Sequence, residues 1–408
     1  MDRSYSKNKV KMKMKKQQKK LLNNPFNPRY PIKPELFVDR NEILDRFSAM
    51  LKRGTPDNIA VVGEWGVGKT SLLKKIEYNA LNSKQFKVFT AFIEVTPETS
   101  VNFNTFIART RDEIERSFKV VNAPLLLKLK KKLIPEWRLK TIKYGIGIEF
   151  KERKASLVTI FEDSLRELWT SLKSCGIDKV LLIFDDLHYL AEKSPDVLYD
   201  LRGIFQKLAM DNYNFSLAIS GKEILFFKAK ELAEPFTRFF DRFRLDMFNF
   251  EITKQAILKP IKLLNVNIAL NEEVIKKIHS LTEGHPYFIH FIMQDLVNRC
   301  EGKVDLNFFN KNFRLISEHL AKDKFDLDFA SASDAEREVL FALAEHKNKI
   351  IALNKIKANT SNPRRDITRL VEKNLVIRND RGEYSLYHPL FKDYLKNKST
   401  KSTKSTKK

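Results

Sequence analysis

Residues 58–73 read NIAVVGEWGVGKTSLL, and this stretch decides the fold. The apolar run Asn58–Val62 predicts a buried strand, and the apolar spacing over 72–80 predicts a helix soon after it. The intervening sequence from Gly63 to Thr70 has a glycine, four further residues and then Gly-Lys-Thr, the pattern of a phosphate-binding loop. An ordinary glycine-rich turn is the alternative. The position of the pattern between a strand and a helix favours a nucleotide site.

The residue types in this loop suit a phosphate chain. Glycines let successive N–H groups point at phosphate oxygens, and the helix that begins near Lys69 presents its positive dipole end to them. Lys69 is expected to bind the β- and γ-phosphates, and Thr70 to offer a hydroxyl to Mg²⁺. We expect nucleotide contacts from the whole stretch of Gly63, Glu64, Trp65, Gly66, Val67, Gly68, Lys69, Thr70 and Ser71.

A second motif is the apolar run from Val180 that ends in Asp185 and Asp186. Acids at the end of a parallel strand lie at the sheet edge where ligands bind. We expect Asp185 to hold Mg²⁺ through water, and Asp186 to orient or deprotonate the attacking water. Alone, the pattern also fits an ordinary strand followed by a helix cap, but its place downstream of a phosphate loop favours the catalytic interpretation.

Short apolar strands alternate with helical patterns as far as residue 250. Besides the two motif strands, we predict strands at Val88–Val95, Asn214–Ser220 and Arg244–Phe250. This alternation predicts an α/β fold, a P-loop NTPase αβα sandwich with a five-stranded, mainly parallel sheet. The strand Asn214–Ser220 should lie between the two motif strands, so that Ser220 faces the γ-phosphate as a polar sensor. A simple strand-end turn is the alternative for Ser220.

Two arginines, Arg238 and Arg242, precede the fifth predicted strand, and a third, Arg244, begins it. An arginine close to a developing phosphate charge can stabilise the transition state, in cis or from a neighbouring subunit. We therefore consider Arg242 and Arg238 as catalytic candidates. The alternative is surface ion pairing with Asp241 and Asp246.

After residue 250 the predicted strands give way to an all-α lid, and then to three helices and a hairpin, the layout of a winged helix. Its third helix carries Arg364, Arg365, Arg369 and Lys373, which could enter a DNA major groove or remain solvated. The predicted divisions are a disordered basic tail (1–28), an ATPase domain (29–250) with a basic insertion (119–154), the lid (251–325), the winged helix (326–395) and a disordered Lys/Ser/Thr tail (396–408).

Composition excludes several classes of protein. The 408 residues are 43% apolar and carry a net charge of +24, and both termini are lysine-rich. Such tails bind nucleic-acid phosphates or simply improve solubility. No apolar run approaches the roughly 20 residues that span a bilayer, and no signal-peptide core is present. Two distant cysteines cannot form a disulfide framework, so we expect a cytoplasmic protein without membrane association.

Four further segments carry a resemblance: FVDR at 37–40, FDDLHYL at 184–190, EGHPYFIHFI at 283–292 and YHPLFKDYL at 387–395. With the phosphate loop, the chain resembles archaeal-type ATPases of the STAND and AAA+ classes, which are related to replication initiators and end in a winged helix. The resemblance implies that Val38 lies by the adenine and that Pro286 lies beside the nucleotide and couples it to the lid. His188 and His285 are expected to be structural.

Two departures from the family pattern bear on activity. Asp39 stands where glycine is usual, and Asp186 stands where strongly hydrolytic relatives often carry glutamate. We therefore expect a slow, Mg²⁺-dependent ATPase that acts as an ATP/ADP switch, with an ATP-dependent homo-oligomer or a protein partner as its output. The alternatives are an initiator-like or mobile-element ATPase that binds duplex DNA, and a non-catalytic nucleotide-binding scaffold.

Overall fold

The computed structural model describes residues 24–53, 56–120, 150–222, 225, 238–300 and 302–405. These form two compact units, one of residues 30–246 and one that joins residues 247–408 to the N-terminal segment ending at Arg29. Most of the predicted N-terminal tail (1–23) and of the predicted basic insertion (121–149) lies outside the described residues. No helix in the described part of the chain is long and apolar enough to cross a membrane.

The first unit is built on a five-stranded sheet in which every pair of neighbours is parallel, in the order β2-β3-β4-β1-β5. This confirms the predicted fold, and β4 lies between β1 and β3 as expected. The strands are β1 (Ile59–Val62), β2 (Val88–Glu94), β3 (Lys179–Asp185), β4 (Phe215–Gly221) and β5 (Asp241–Arg244).

The position of the fifth strand was predicted wrongly. It covers Asp241–Arg244, whereas the expected segment Arg244–Phe250 leads into a helix. The strand lies at the edge of the sheet and is mostly exposed, so its sequence is charged and lacks the apolar run that identifies a central strand.

Helices cover both faces of the sheet. Alternate residues of β3 divide between the two faces: Val180, Leu182 and Phe184 join one hydrophobic cluster, and Leu181 and Ile183 join the other. Double-sided burial explains why β3 is apolar from Val180 to Phe184. The helices are α1 (Asn41–Lys52), α2 (Lys69–Leu81), α3 (Phe103–Val120), α4 (Phe150–Ser174), α5 (His188–Lys193) and α6 (Pro195–Met210).

The second unit begins with helices around their own core, as predicted for the lid. A short parallel pair, β6 (Ile268–Leu270) and β7 (Gly302–Val304), also joins them, which was not expected. The helices are α7 (Phe250–Leu263), α8 (Glu272–Thr282), α9 (Pro286–Arg299) and α10 (Leu306–Leu320), then a π-helical turn (Ala321–Phe325) and α11 (Asp326–Ala330).

The C-terminal part of this unit contains two helices, a small antiparallel sheet and a last helix. Ser333 and Glu336 form the predicted capping box. The expected helix near 353–359 is only a 3₁₀ turn (Leu353–Lys355). The elements are α12 (Asp334–Glu345), β8 (Ile351–Ala352), α13 (Pro363–Glu372), β9 (Val376–Asp380), β10 (Glu383–Leu386) and α14 (Pro389–Ser405). Helix α14 therefore continues into the segment that we expected to be disordered from residue 396.

The start of the described chain is also more ordered than its sequence suggests. Phe26 is fully buried in the core that α7 to α10 share, with its ring 5.6 Å from that of His290. Asn24 Nδ2 donates to Gln294 O at 2.9 Å, and Arg29 Nη2 contacts both oxygens of Asp323 at 2.7 Å. Residues 24–29 are thus anchored on the helical unit.

Candidate functional site

The phosphate loop joins β1 to α2 in the backbone form that its sequence predicts. Gly68 is the residue before the helix and has a φ of 98°, a left-handed conformation that glycine adopts without strain. In the described part of the chain, no side chain caps the helix at this end. Its first N–H groups therefore remain available to an anion.

Lys69 lies inside the curve of this loop. Its Nζ donates to Gly63 O at 3.0 Å and to Glu64 O at 2.8 Å. Burial lowers the pKa of Lys69, an effect that the charges of Asp186 and Asp185 oppose. The ammonium group thus has a carbonyl cradle and two nearby acids, a setting in which phosphate oxygens are better partners than neutral carbonyls.

Asp185, Asp186 and Ser220 form one hydrogen-bonded group at the carboxyl ends of β3 and β4. The Ser220 hydroxyl donates to Asp185 Oδ1 and accepts from the Asp186 backbone N–H at 2.9 Å. Both Asp185 and Ser220 are buried. The sequence therefore identified three residues that do meet, and Ser220 makes more specific contacts than a strand-end turn requires.

The two acids have different surroundings. Asp186 has a φ of 59°, and its side chain is 39% exposed, whereas Asp185 is buried. Burial, and then the neighbouring Asp185, raise the pKa of Asp186 to about 6, while Lys69 and Lys222 act in the opposite direction. With this pKa, the Asp186 carboxylate is mostly ionised at neutral pH and can accept a hydrogen bond from water.

Sequence reasoning did not identify Glu94 and Lys222 as neighbours of this group. Glu94 pairs in register with Asp185 at the end of β2, is exposed, and contributes to the raised pKa of Asp186. Lys222 directly follows β4. Both could have been identified from the sequence, because each is a charged residue near the carboxyl end of a predicted strand.

His188 also belongs to this neighbourhood. Its side chain is 3% exposed, and its Nδ1 lies 3.7 Å from Asp186 Oδ1. Burial, with the charges of Lys222 and Lys69, lowers its pKa to about 3, so the imidazole is neutral. Its ring contacts that of Tyr189 at a centroid distance of 4.3 Å.

The segment expected near the adenine adopts an unusual backbone. Asp39 and Arg40 have φ values of 68° and 64°, the left-handed region that favours glycine. This conformation explains why a glycine is suited to the position of Asp39, and aspartate tolerates it better than most residues do. Val38 is half-buried, and Phe37 packs against the hydrophobic cluster that includes Val67 of the phosphate loop.

The structure also places the remaining predicted residues of the first unit. Arg242 and Arg244 are on the edge strand β5, level with Ala60 and Val62 of β1, and Arg238 precedes that strand. The Ser71 hydroxyl accepts a hydrogen bond from Ile32 N at 3.3 Å.

The Gly284-His-Pro element belongs to the helical unit. Gly284 has a φ of 75°, and a Cβ at this position would lie 1.9 Å from Phe248 O, so only glycine fits. Pro286 is the first residue of α9. The His285 ring lies 5.6 Å from that of His388, whose Nε2 donates to Thr282 O at 2.9 Å while Nδ1 accepts from Leu390 N. The segments 283–292 and 387–395 of the resemblance each contain a His-Pro pair, and the two pairs lie close together in the second unit.

Comparison with known proteins agrees with this fold. The family model described as "AAA domain" matches residues 52–226, a range that includes the phosphate loop, both acids and Ser220. This match supports nucleotide binding and ATPase activity in general. No curated protein matches the chain.

Two solved archaeal structures are similar over nearly their whole length. The ORC2 protein of Aeropyrum pernix, solved as ADPNP–ADP complexes, has a TM-score of 0.59 and 15% identity, over 92% of this chain and 96% of that one. The Walker-type ATPase of Pyrococcus abyssi has a TM-score of 0.51 and 15% identity, over 88% and 96%. At such low identity these likenesses show the fold alone.

Proposed function

We propose that the protein is a slow, Mg²⁺-dependent ATPase that acts as a nucleotide-driven switch. The observation that carries the proposal is the convergence of Lys69, Asp185, Asp186 and Ser220 at one edge of the sheet, directly beside an uncapped helix start. The AAA-domain match and the ADPNP–ADP complexes of the ORC2 protein support ATP as the nucleotide.

The residues of the loop bind and position the phosphates. Lys69 exchanges its two carbonyl partners for phosphate oxygens, and the N–H groups from Gly66 to Thr70 donate to the same oxygens. Thr70 and Asp185 hold Mg²⁺, with Asp185 fixed in direction by the Ser220 hydroxyl. When bound, the metal ion neutralises charge on the phosphate oxygens.

Asp186 acts on the attacking water. Its carboxylate is partly exposed and can accept a hydrogen bond from a water beside the terminal phosphate. Aspartate has a shorter side chain than glutamate, so it reaches the water less well, and this supports slow turnover. Arg242 and Arg238 are proposed to stabilise the transition state, and Val38 and Pro286 to contact the nucleotide.

The proposed output is a change in the helical unit and in self-association. ATP and ADP differ at the γ-phosphate, so only contacts to this group can supply the energy of a switch. The proposed setting is the cytoplasm, which fits a chain with only two cysteines, far apart in sequence.

Binding and switching are tested separately on the full-length protein. Transfer of fluorescence from Trp65, which is 44% exposed in the loop, to a mant-labelled nucleotide reports binding, with Lys69→Ala as the weak-binding control. Analytical ultracentrifugation with ADP and with ADPNP reports association. Loss of transfer in Lys69→Ala and different sedimentation in the two nucleotides are expected. Identical sedimentation would contradict the switch.

The alternative is a DNA-dependent ATPase of initiator or mobile-element type with a winged helix. One observation favours it: Arg364 and Arg369 on α13 are exposed, whereas Lys373 is bound to Ser331 O and Glu336. Stimulation of ATP hydrolysis by duplex DNA, lost in Arg364→Ala/Arg369→Ala but kept in Lys373→Ala, would support this alternative.

A further inference from the structure

His188 stands out because its buried polar atoms lack hydrogen bonds. Neither Nδ1 nor Nε2 has a hydrogen-bond partner among the described residues, although the side chain is 3% exposed. Burying an imidazole without a partner costs free energy, and buried polar groups in proteins are rarely left in this state. An unpartnered buried group beside a reaction site points to a contact that forms only when the site is loaded.

The position of His188 indicates which contact this is. It is the first residue of α5, two residues after Asp186, and its backbone N lies 3.4 Å from where a Cβ on Gly221 would be. The residue therefore packs against the end of β4, and its ring contacts the Tyr189 ring. Nδ1 lies 3.7 Å from Asp186 Oδ1, just beyond hydrogen-bond distance.

We propose that His188 is a positioning residue which, in the ATP-bound protein, donates a hydrogen bond from Nδ1 to Asp186 and fixes that carboxylate towards the attacking water. This inference rests on the proposed function. Asp186 is the partner that can move, because its side chain is 39% exposed while His188 is enclosed.

The donor and acceptor roles agree with the local charges. Burial, and then the charges of Lys222 and Lys69, disfavour a positive charge on the ring, so His188 is neutral and carries one N–H. An ionised carboxylate only accepts hydrogen bonds, so the proton on Nδ1 is the one that can join the two groups.

Three substitutions separate this role from packing. His188→Asn places an amide donor near the position of Nδ1, His188→Gln places one near Nε2, and His188→Leu removes both. We expect kcat for ATP to fall by about 10- to 100-fold in the Leu and Gln variants at unchanged KM, since the carboxylate loses its orientation, and to be largely kept in the Asn variant. Thermal unfolding of each variant checks that the fold is retained.

Two further readouts make the test decisive. In a double-mutant cycle with Asp186→Asn, adding His188→Leu should cause no further loss of kcat. ¹⁵N NMR of the imidazole with Mg²⁺ and ADPNP should show the proton on Nδ1. Equal loss in the Asn and Leu variants, multiplicative losses in the cycle, a rise in KM alone, or a proton on Nε2 would each overturn the proposal.

The NMR measurement also separates the two levels of inference. If the wild-type protein hydrolyses ATP no faster than Lys69→Ala, the proposed function is wrong. The NMR spectrum of the ADPNP complex still tests the hydrogen bond between His188 and Asp186, because it shows whether Nδ1 carries the proton.

Discussion

Replacing Ser220 by alanine tests the hydrogen-bonded group that unites the site. Ser220 is fully buried, and its hydroxyl both donates to Asp185 and accepts from Asp186 N. The variant removes the hydroxyl partner of the Asp186 N–H and a hydrogen bond to the buried Asp185 carboxylate, a loss of about 3 kcal/mol. For a unit of this size, that corresponds to a fall in Tm of about 6 to 12 °C.

The same change should affect catalysis. Asp185, the proposed Mg²⁺ ligand, loses the donor that fixes its direction. Loss of such a supporting hydrogen bond to a metal ligand typically reduces activity about 10- to 100-fold. The assays are thermal unfolding by circular dichroism and steady-state ATP hydrolysis.

Ser216 provides a matched control on the same strand. It is equally buried, lies at the opposite end of β4, and its hydroxyl accepts one long hydrogen bond, from Asp57 N at 3.3 Å. Ser216→Ala should cost about 1 kcal/mol and leave kcat unchanged. If Ser220→Ala is no more destabilising than Ser216→Ala and retains full activity, the assigned role of Ser220 is wrong.

Three further changes test the helical unit by thermal unfolding. Gly284→Ala should destabilise by about 3 kcal/mol or more because of the clash with a backbone oxygen, whereas Gly302→Ala, with positive φ but open space, should cost only about 1 kcal/mol; equal losses would contradict the close approach. Phe26→Ala should cost about 3 to 5 kcal/mol and expose the N-terminal segment to trypsin, unlike Tyr30→Ala at a 72% exposed position; unchanged Tm and cleavage would argue against the anchor. Burial lowers the pKa of His388 to about 4, so the unfolded chain binds more protons than the folded one between pH 6.5 and 4, and stability falls with acidification across this range by up to about 3 kcal/mol. His388→Gln should show a shallower fall, and a parallel pH profile would refute the assignment.

The phosphate loop and the central strands could be predicted because their signals are local. The loop requires glycines and a lysine at fixed spacing. A strand buried on both faces needs an apolar run, as β3 has from Val180 to Phe184. The order of the central strands could also be predicted: β4 lies between β3, which ends in the acid pair, and β1, which leads into the phosphate loop.

Features that depend on distant partners could not be predicted. The sequence around Phe26 is polar and rich in asparagine and proline, and only the core formed by α7 to α10 explains its burial. The charged edge strand Asp241–Arg244 pairs with β1 through its backbone, and its mostly exposed side chains form no apolar run that would identify a strand. We expect His188 to be structural from the sequence, because a single histidine after an acid pair gives no indication that neither nitrogen has a hydrogen-bond partner among the described residues.

The most direct test of the account is Mg²⁺-dependent ATP hydrolysis by the full-length protein, measured beside Lys69→Ala with and without duplex DNA. We predict slow turnover by the wild-type protein that Lys69→Ala abolishes and that EDTA removes. Equal rates for the two proteins, or no turnover by the wild-type protein under either condition, would contradict the assignment of Lys69, Asp185 and Asp186 as an ATPase site.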